Sequence, residues 1–316
     1  MTTYYGLYGQ KVQYLASDPT DVQTGQVWYN STSATLKVRA LTTTGAWATD
    51  ANMNTNRNTS GFVGTITAAL QFGGTPGPTA ATESYNGSSW TTVSSMGGSR
   101  YGVAGAGTQT AALGFGGYSP VLGYTAVTES WNGTSWSPVT SMNRGHWFPG
   151  GLGTQTAALQ YGGYNAPAPF NTQTESWNGS SWTNQNNMNT GRMNIQHAGT
   201  QTAGLGFGGS NPGATANVES WNGTSWTATT ALNNPSAGNT GSGTQTSALA
   251  FGGGSPSQNK TEAWNGSTWT NLADSSFTMT QGNGPSQVSA IGTNGSGKTQ
   301  IWTGPGVAQT KTVTVT

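Results

Sequence analysis

Of the 316 residues only 6% are Asp, Glu, Lys or Arg, and the net charge is +1, where an ordinary soluble chain is roughly a quarter charged. Ten scattered cations do not make the basic stripe that neutralises phosphates, which argues against a nucleic-acid groove or an electrostatic membrane anchor, and the absence of cysteine removes disulfides, thiolate metal sites and cysteine nucleophiles. Thirteen Trp, eleven Tyr and eight Phe supply a core, while plentiful Gly and Thr with little Glu, Lys or Leu point to an all-β chain.

In chain order, Met1-Thr-Thr-Tyr-Tyr-Gly-Leu-Tyr8 lacks the charged and apolar regions of a secretory signal, and no run of eighteen apolar residues follows; the expectation is a chain neither conventionally secreted nor membrane-spanning. Residues 1–42 read as a small N-terminal β module. Within them Gly25-Gln-Val-Trp28-Tyr29-Asn30, then Leu36-Lys37-Val38, alternate as a hairpin. Next, Trp47 to Met53 and Arg57 reads as an outer strand with no sheet before it.

From there to residue 302 the chain repeats itself. An apolar strand ends in Phe72-Gly-Gly, Phe115-Gly-Gly, Tyr161-Gly-Gly, Phe207-Gly-Gly and Phe251-Gly-Gly, with a period of about 45 residues. A loop of variable length leads to Thr/Val-Glu-Ser/Ala-aromatic-Asn-Gly, carrying Tyr85, Trp131, Trp177, Trp221 and Trp264. A second indole follows at Trp90, Trp136, Trp182, Trp226 and Trp269, then Met96, Met142, Met188 or Leu232. Each unit reads as four short strands; the last two form a hairpin signalled by Asn-Gly, the pair that best tolerates a type I′ turn. Such sheets cannot bury both faces alone, and radial stacking buries each against its neighbours.

Two incomplete ends set the count. Gln287-Val-Ser-Ala-Ile-Gly-Thr293 and Lys298-Thr-Gln-Ile-Trp302 match the inner part of a unit whose outer strand is missing, and the strand near Trp47 supplies it. Six sheets result, closed by that N-terminal strand; the alternative is seven, with Gln26–Asn30 and Ala34–Arg39 forming an extra one. Residues 303–316 form a β tail whose Thr310-Lys-Thr-Val-Thr-Val-Thr316 alternation suits pairing with the N-terminal hairpin.

The recurring Gly-Gly, Glu-Ser-Trp, Trp, Met and Arg resemble the kelch repeat, which implies a six-bladed kelch-like β-propeller over residues 43–302. The Asn-Gly turn and the missing fifth arginine depart from that pattern. The Gly-x-x-Trp-Tyr-Asn and Leu-Lys-Val hairpin of residues 25–38 resembles one recurring in bacteriophage tail and fibre proteins.

The five glutamates, Glu83, Glu129, Glu175, Glu219 and Glu262, all occupy one repeat position. A residue type used nowhere else is a framework part, and each is expected to meet a repeat arginine, Arg57, Arg100, Arg144 or Arg192, because a buried charge needs a partner. Gly292 to Thr299 spells a phosphate-loop pattern, but its context reads as a strand rather than the helix that phosphate binding needs. His146 and His197 lie in different repeats and the aspartates are dispersed, so no catalytic residue, metal site or cofactor is assigned. The loops 118–127 and 164–173 are the longest after the diglycines and carry Tyr118, Tyr124, Tyr164 and Phe170; the connection into the third repeat adds His146-Trp147-Phe148. Variable loops on a rigid scaffold are where recognition concentrates, and aromatic rings beside Asn and Ser suit sugar faces. These resemblances imply a non-enzymatic structural protein on the virion surface, a tail or head fibre or appendage. Its N-terminal module would attach to other virion proteins and its propeller would contact a host glycan, in a homo-oligomer such as a trimer. A purely architectural decoration protein and a kelch-type lectin are the alternatives.

Overall fold

The computed structural model describes residues 12–20, 22–41, 45–167, 169–238, 240–254, 259–305 and 308–312. These residues form strands, turns and bends with no helix, and the chain divides into two compact units, Met1–Gly45 with Thr303–Thr316, and Ala46–Trp302.

In the first unit, Gln13–Leu15, Val27–Asn30, Thr35–Leu41 and Ala308–Thr312 form one sheet in that order. Gln13–Leu15 runs parallel to Val27–Asn30, and Ala308–Thr312 lies antiparallel to Thr35–Leu41, with Arg39 opposite Thr310. The strands an extra repeat would require at residues 26–39 thus belong to this sheet. Trp28 is wholly buried, and its indole N–H donates to Asp18 Oδ1 at 3.0 Å. Asp18 also accepts from Asn30 Nδ2 at 2.7 Å and Lys37 Nζ at 2.6 Å. The Lys37 contact first, then Asn30 and Trp28, pull its carboxyl down to about 2.

The second unit contains six four-stranded sheets among the described residues, the first five antiparallel throughout. The first is Gly61–Thr65, Ala68–Phe72, Thr82–Tyr85 and Trp90–Val93; the second is Ala104–Gly107, Ala112–Phe115, Thr128–Trp131 and Trp136–Val139. The third, Gly150–Gly153, Ala158–Tyr161, Thr174–Trp177 and Trp182–Gln185, and the fourth, Gln196–Thr200, Ala203–Phe207, Val218–Trp221 and Trp226–Thr229, repeat the plan. The fifth is Thr240–Thr244, Ser247–Phe251, Thr261–Trp264 and Trp269–Asn271. The sixth draws on both ends of the unit: Gln281–Ser286, Ser289–Thr293, Thr299–Thr303 and, at its outer edge, Ala46–Asp50. The first strand of each sheet neighbours that of the next, and Gln281–Ser286 also lies beside Gly61–Thr65.

Local chemistry sets the turns. The Asn-Gly hairpins differ from the type I′ turn that the sequence predicts: in Asn132 to Ser135 only Gly133 is left-handed (φ 94°). Asn132 instead uses its side-chain Oδ1 to accept the amides of Thr134 and Ser135, each at 2.9 Å, an Asx turn that reaches the same reversal at less backbone cost. Both diglycine residues are left-handed, as at Gly73 (φ 68°) and Gly74 (φ 115°), where L side chains are strained. A Cβ on Gly74 would also sit 2.6 Å from the Asn58 carbonyl oxygen.

Aromatic pairs join each of the first five sheets to the next. Phe72 meets Trp136 at 4.8 Å between ring centroids, Phe115 meets Trp182 at 5.0 Å, Tyr161 meets Trp226 at 4.8 Å and Phe207 meets Trp269 at 5.2 Å. Phe251 meets Trp47 at 4.9 Å, so the N-terminal strand repeats the contact. Such pairs contribute about 0.5–1.5 kcal/mol beyond burial. The outer indole also donates to a threonine of the preceding sheet, as Trp136 does to Thr82 (3.0 Å), Trp226 to Thr174 (3.0 Å) and Trp47 to Thr261 (2.9 Å). Val218 replaces that threonine in the fourth sheet, and Trp269 turns to the Thr230 carbonyl instead, at 3.2 Å.

Candidate functional site

In the first five sheets the connection leading into the sheet meets the glutamate of its third strand. Arg57 reaches Glu83 at 2.9 Å, Arg100 reaches Glu129 at 2.6 Å and Arg192 reaches Glu219 at 3.4 Å, all six side chains being buried. Arg144 does not follow: no ion pair joins it to Glu175, which accepts from the Asn143 amide and side chain, both at 2.8 Å, and from the Arg144 amide at 3.3 Å. The reason is register. Arg57, Arg100 and Arg192 stand four residues beyond Met53, Met96 and Met188, and four beyond Met142 is His146. The backbone agrees: the second glycine of the diglycine donates to Arg100, His146, Arg192, Ser236 and Met279 at equivalent places. Without a guanidinium, burial raises the Glu175 carboxyl, opposed by its bonds from Asn143 and Arg144. Glu262 has Ser236 at the arginine position and is held by the amides of Asn233 and Asn234, at 2.8 and 2.9 Å. In the sixth sheet Met279 stands at the arginine position and Gln300 at the position of the acid.

His146 is therefore no part of an exposed recognition face. It is 0% exposed, neither ring nitrogen has a hydrogen-bond partner among the described residues, and burial first, then Arg144, pushes its pKa down to about 4. Phe170 is half-buried in the loop above Gly191 and makes no ring contact with the other aromatics named from sequence.

Tyr118, Tyr124, Trp147, Phe148 and Tyr164 do converge, and Tyr101 joins them. Tyr118 pairs with Tyr124 across a short hairpin, their rings 5.6 Å apart. Tyr101 contacts Tyr118 at 5.5 Å and Trp147 at 5.6 Å. Trp147 lies 4.6 Å from Phe148 and 5.9 Å from Tyr164, which is 5.3 Å from Tyr124. All six rings are half-buried. Burial, then the neighbouring Tyr164, raise the Tyr124 phenol. The Trp147 indole N–H is buried with no partner among the described residues. The hairpin tip beside the cluster presents Val121, 88% exposed, and Leu122, 63% exposed. Tyr101 was discoverable in the sequence, since it follows Arg100 as Trp147 follows His146.

A cavity of about 340 Å³ adjoins Phe148. Its wall comes from the first strands of the sheets and from Thr59, Gly102, Phe148, Asn194 and Gly238 on the connections. His197, half-buried, lines it and is pushed down to about 4 by burial. Within Gly292 to Thr299, Gly292 and Thr293 end the strand Ser289–Thr293, residues 294–298 turn, and Thr299 opens the strand Thr299–Thr303, without the helix a phosphate loop needs. No family model and no curated protein matches this chain.

Proposed function

We propose that the second unit is a six-bladed kelch-like β-propeller on a bacteriophage virion appendage, and that its aromatic cluster contacts a glycan on the host surface. The observation that carries this reading is the cluster itself: Tyr101, Tyr118, Tyr124, Trp147, Phe148 and Tyr164 gather half-exposed rings from neighbouring sheets on the side where the loops are longest. Aromatic faces stack on sugar C–H surfaces, and a partly desolvated Trp147 donor can take a hydroxyl oxygen. Six sheets of one plan support the propeller, as do first strands neighbouring each other in sequence with the sixth beside the first, and a sixth sheet completed by Ala46–Asp50. The first unit would attach the chain to other virion proteins, in a homo-oligomer such as a trimer, and catalysis has no part in this reading.

The mutual packing of the six rings favours a second reading, an architectural decoration protein whose aromatics only plug the loops. Binding of the labelled full chain to co-occurring bacterial cells separates the two. Adhesion lost at least tenfold in Tyr124→Ala with Trp147→Ala supports recognition; equal adhesion, or none by the wild type, favours decoration.

A further inference from the structure

The fifth sheet keeps the repeat glutamate while the connection leading into it lacks the arginine. Ser236 occupies the place of Arg57, Arg100 and Arg192, four residues beyond Leu232 as they are beyond their methionines. The backbone agrees, for Gly209 donates to the Ser236 carbonyl at 2.8 Å as Gly74 does to Arg100 at 2.9 Å. A cavity of about 10 Å³ lies there, walled in part by Ser236, Gly252, Lys260 and Glu262, with Leu232 and Ala250. That is about the room of one water-sized guest.

The polar wall of this cavity is made of the residues that hold a guanidinium elsewhere. In the second sheet Arg100 donates to Glu129 Oε1 at 2.6 Å, to the Gly116 carbonyl at 3.0 Å and to the Val127 carbonyl at 2.8 Å. Counted from the diglycine and the glutamate, the counterparts are Glu262, Gly252 and Lys260, and all three line the cavity. The Lys260 carbonyl accepts the Gly252 amide at 3.0 Å, as Val127 accepts Gly116, and a carbonyl oxygen has a second lone pair, the one that Arg100 uses at Val127. Ser236 Oγ donates to the Gly252 carbonyl at 3.4 Å but brings no charge. Glu262 is 3% exposed, and no ion pair joins it to any described residue. Its partners are the Asn233 amide and the Asn234 amide and side chain, at 2.8, 2.9 and 2.9 Å, all neutral. The Lys260 ammonium is exposed and paired with Asp274 at 2.8 Å. A buried carboxylate is costly without a counter-charge, so a cation in the cavity gains what the arginine gains in the other sheets.

We propose that this cavity binds a monovalent alkali cation, Na⁺ or K⁺, through the Glu262 carboxylate, the Gly252 and Lys260 carbonyls and Ser236 Oγ. A diffusible ion then supplies the charge that an arginine supplies in the first, second and fourth sheets. Oxygen ligands alone select a hard cation, and one carboxylate balances a single charge. A divalent ion calls for more acids, and no group of three acidic or histidine side chains suited to a metal is present among the described residues. The site does not rest on the adhesion reading.

Thermal melts of the full chain in NaCl, KCl and tetramethylammonium chloride at equal ionic strength test it, the last cation being too large to enter. An ion that binds only the folded state stabilises it by mass action, so the wild type should melt about 2 °C or more higher in NaCl or KCl than in tetramethylammonium chloride. The control Ser137→Ala should keep that difference. Ser236→Arg supplies an internal cation and Glu262→Gln removes the charge to be balanced; in both the difference should vanish. Each substitution installs what another sheet already holds at the same position, Arg100 in the second and Gln300 in the sixth, and either variant decides the test if the other fails to fold. Equal midpoints for the wild type in all three salts, or a difference that persists in a folded Ser236→Arg or Glu262→Gln chain, overturns the proposal.

Discussion

Arg100 and Glu129 illustrate how one repeat position carries a large energy. Both are buried, 2.6 Å apart, and Arg100 also donates to the Val127 carbonyl at 2.8 Å. Arg100→Met should cost about 3–5 kcal/mol, because it strands a buried carboxylate, and Arg100→Met with Glu129→Gln should recover most of it. The sixth sheet already holds Met279 with Gln300; denaturant midpoints of the single and double variants check this. His146 gives a pH dependence. Its folded pKa, about 4, lies below the ordinary 6.5, so its contribution is fully present above pH 6.5 and is lost as pH falls towards 4, by up to about 3 kcal/mol. Glu175, raised by burial, works in the opposite sense by taking up its proton in the folded state first. Melting temperature against pH should therefore fall less steeply between 6.5 and 4 in His146→Met than in the wild type; parallel curves would contradict the assignment.

Between elements, the turn glutamines act as latches. Gln201 donates from Nε2 to the carbonyls of Ala158 (3.0 Å) and Trp177 (2.5 Å) in the preceding sheet, while its own carbonyl accepts the Trp221 indole at 2.8 Å. Gln109, Gln155, Gln245 and Gln287 do the same. Gln201→Leu removes two hydrogen bonds to the preceding sheet and should lower stability by about 1–3 kcal/mol, read as a drop in melting temperature. At the corresponding turn of the first sheet stands Ile66, which packs, as Ile301 of the sixth sheet does, against the buried cluster of Met53, Phe62, Tyr85, Trp90 and Ile291, so apolar packing replaces the latch there. The repeat made the Thr-Gln-Thr turns legible, but not their reach. A hydrogen bond from Gln201 to Trp177 spans 24 positions, and nothing local to residues 200–202 specifies it.

At the scale of the molecule, the second unit depends on one strand from its own beginning. Trp47 lies against Phe251 and Trp302, 4.9 and 5.4 Å between centroids, at the outer edge of the sixth sheet. Removing residues 1–50 would leave Thr299–Thr303 as an unpaired edge beside uncovered aromatics, a condition that favours association. The expected outcome is loss of a cooperative melt and oligomers on size-exclusion chromatography; a monomeric truncation with an unchanged melt would refute it. The sequence alone determined what is local and periodic: the strands of each unit, the Gly-Gly and Asn-Gly reversals, the singular use of glutamate, and the complementarity of Trp47 with the incomplete last sheet. Turn geometry and side-chain alternation act over a few residues, so they are written in adjacent letters. Only the tertiary structure decided that Glu175 is held by the Asn143 and Arg144 amides with no guanidinium beside it, that the Phe170 ring stays apart from the aromatic cluster, and that the turn glutamines reach the sheet before their own. Those outcomes depend on how connections some 45 residues apart return to one place, where burial and the partners that packing supplies give each side chain its role.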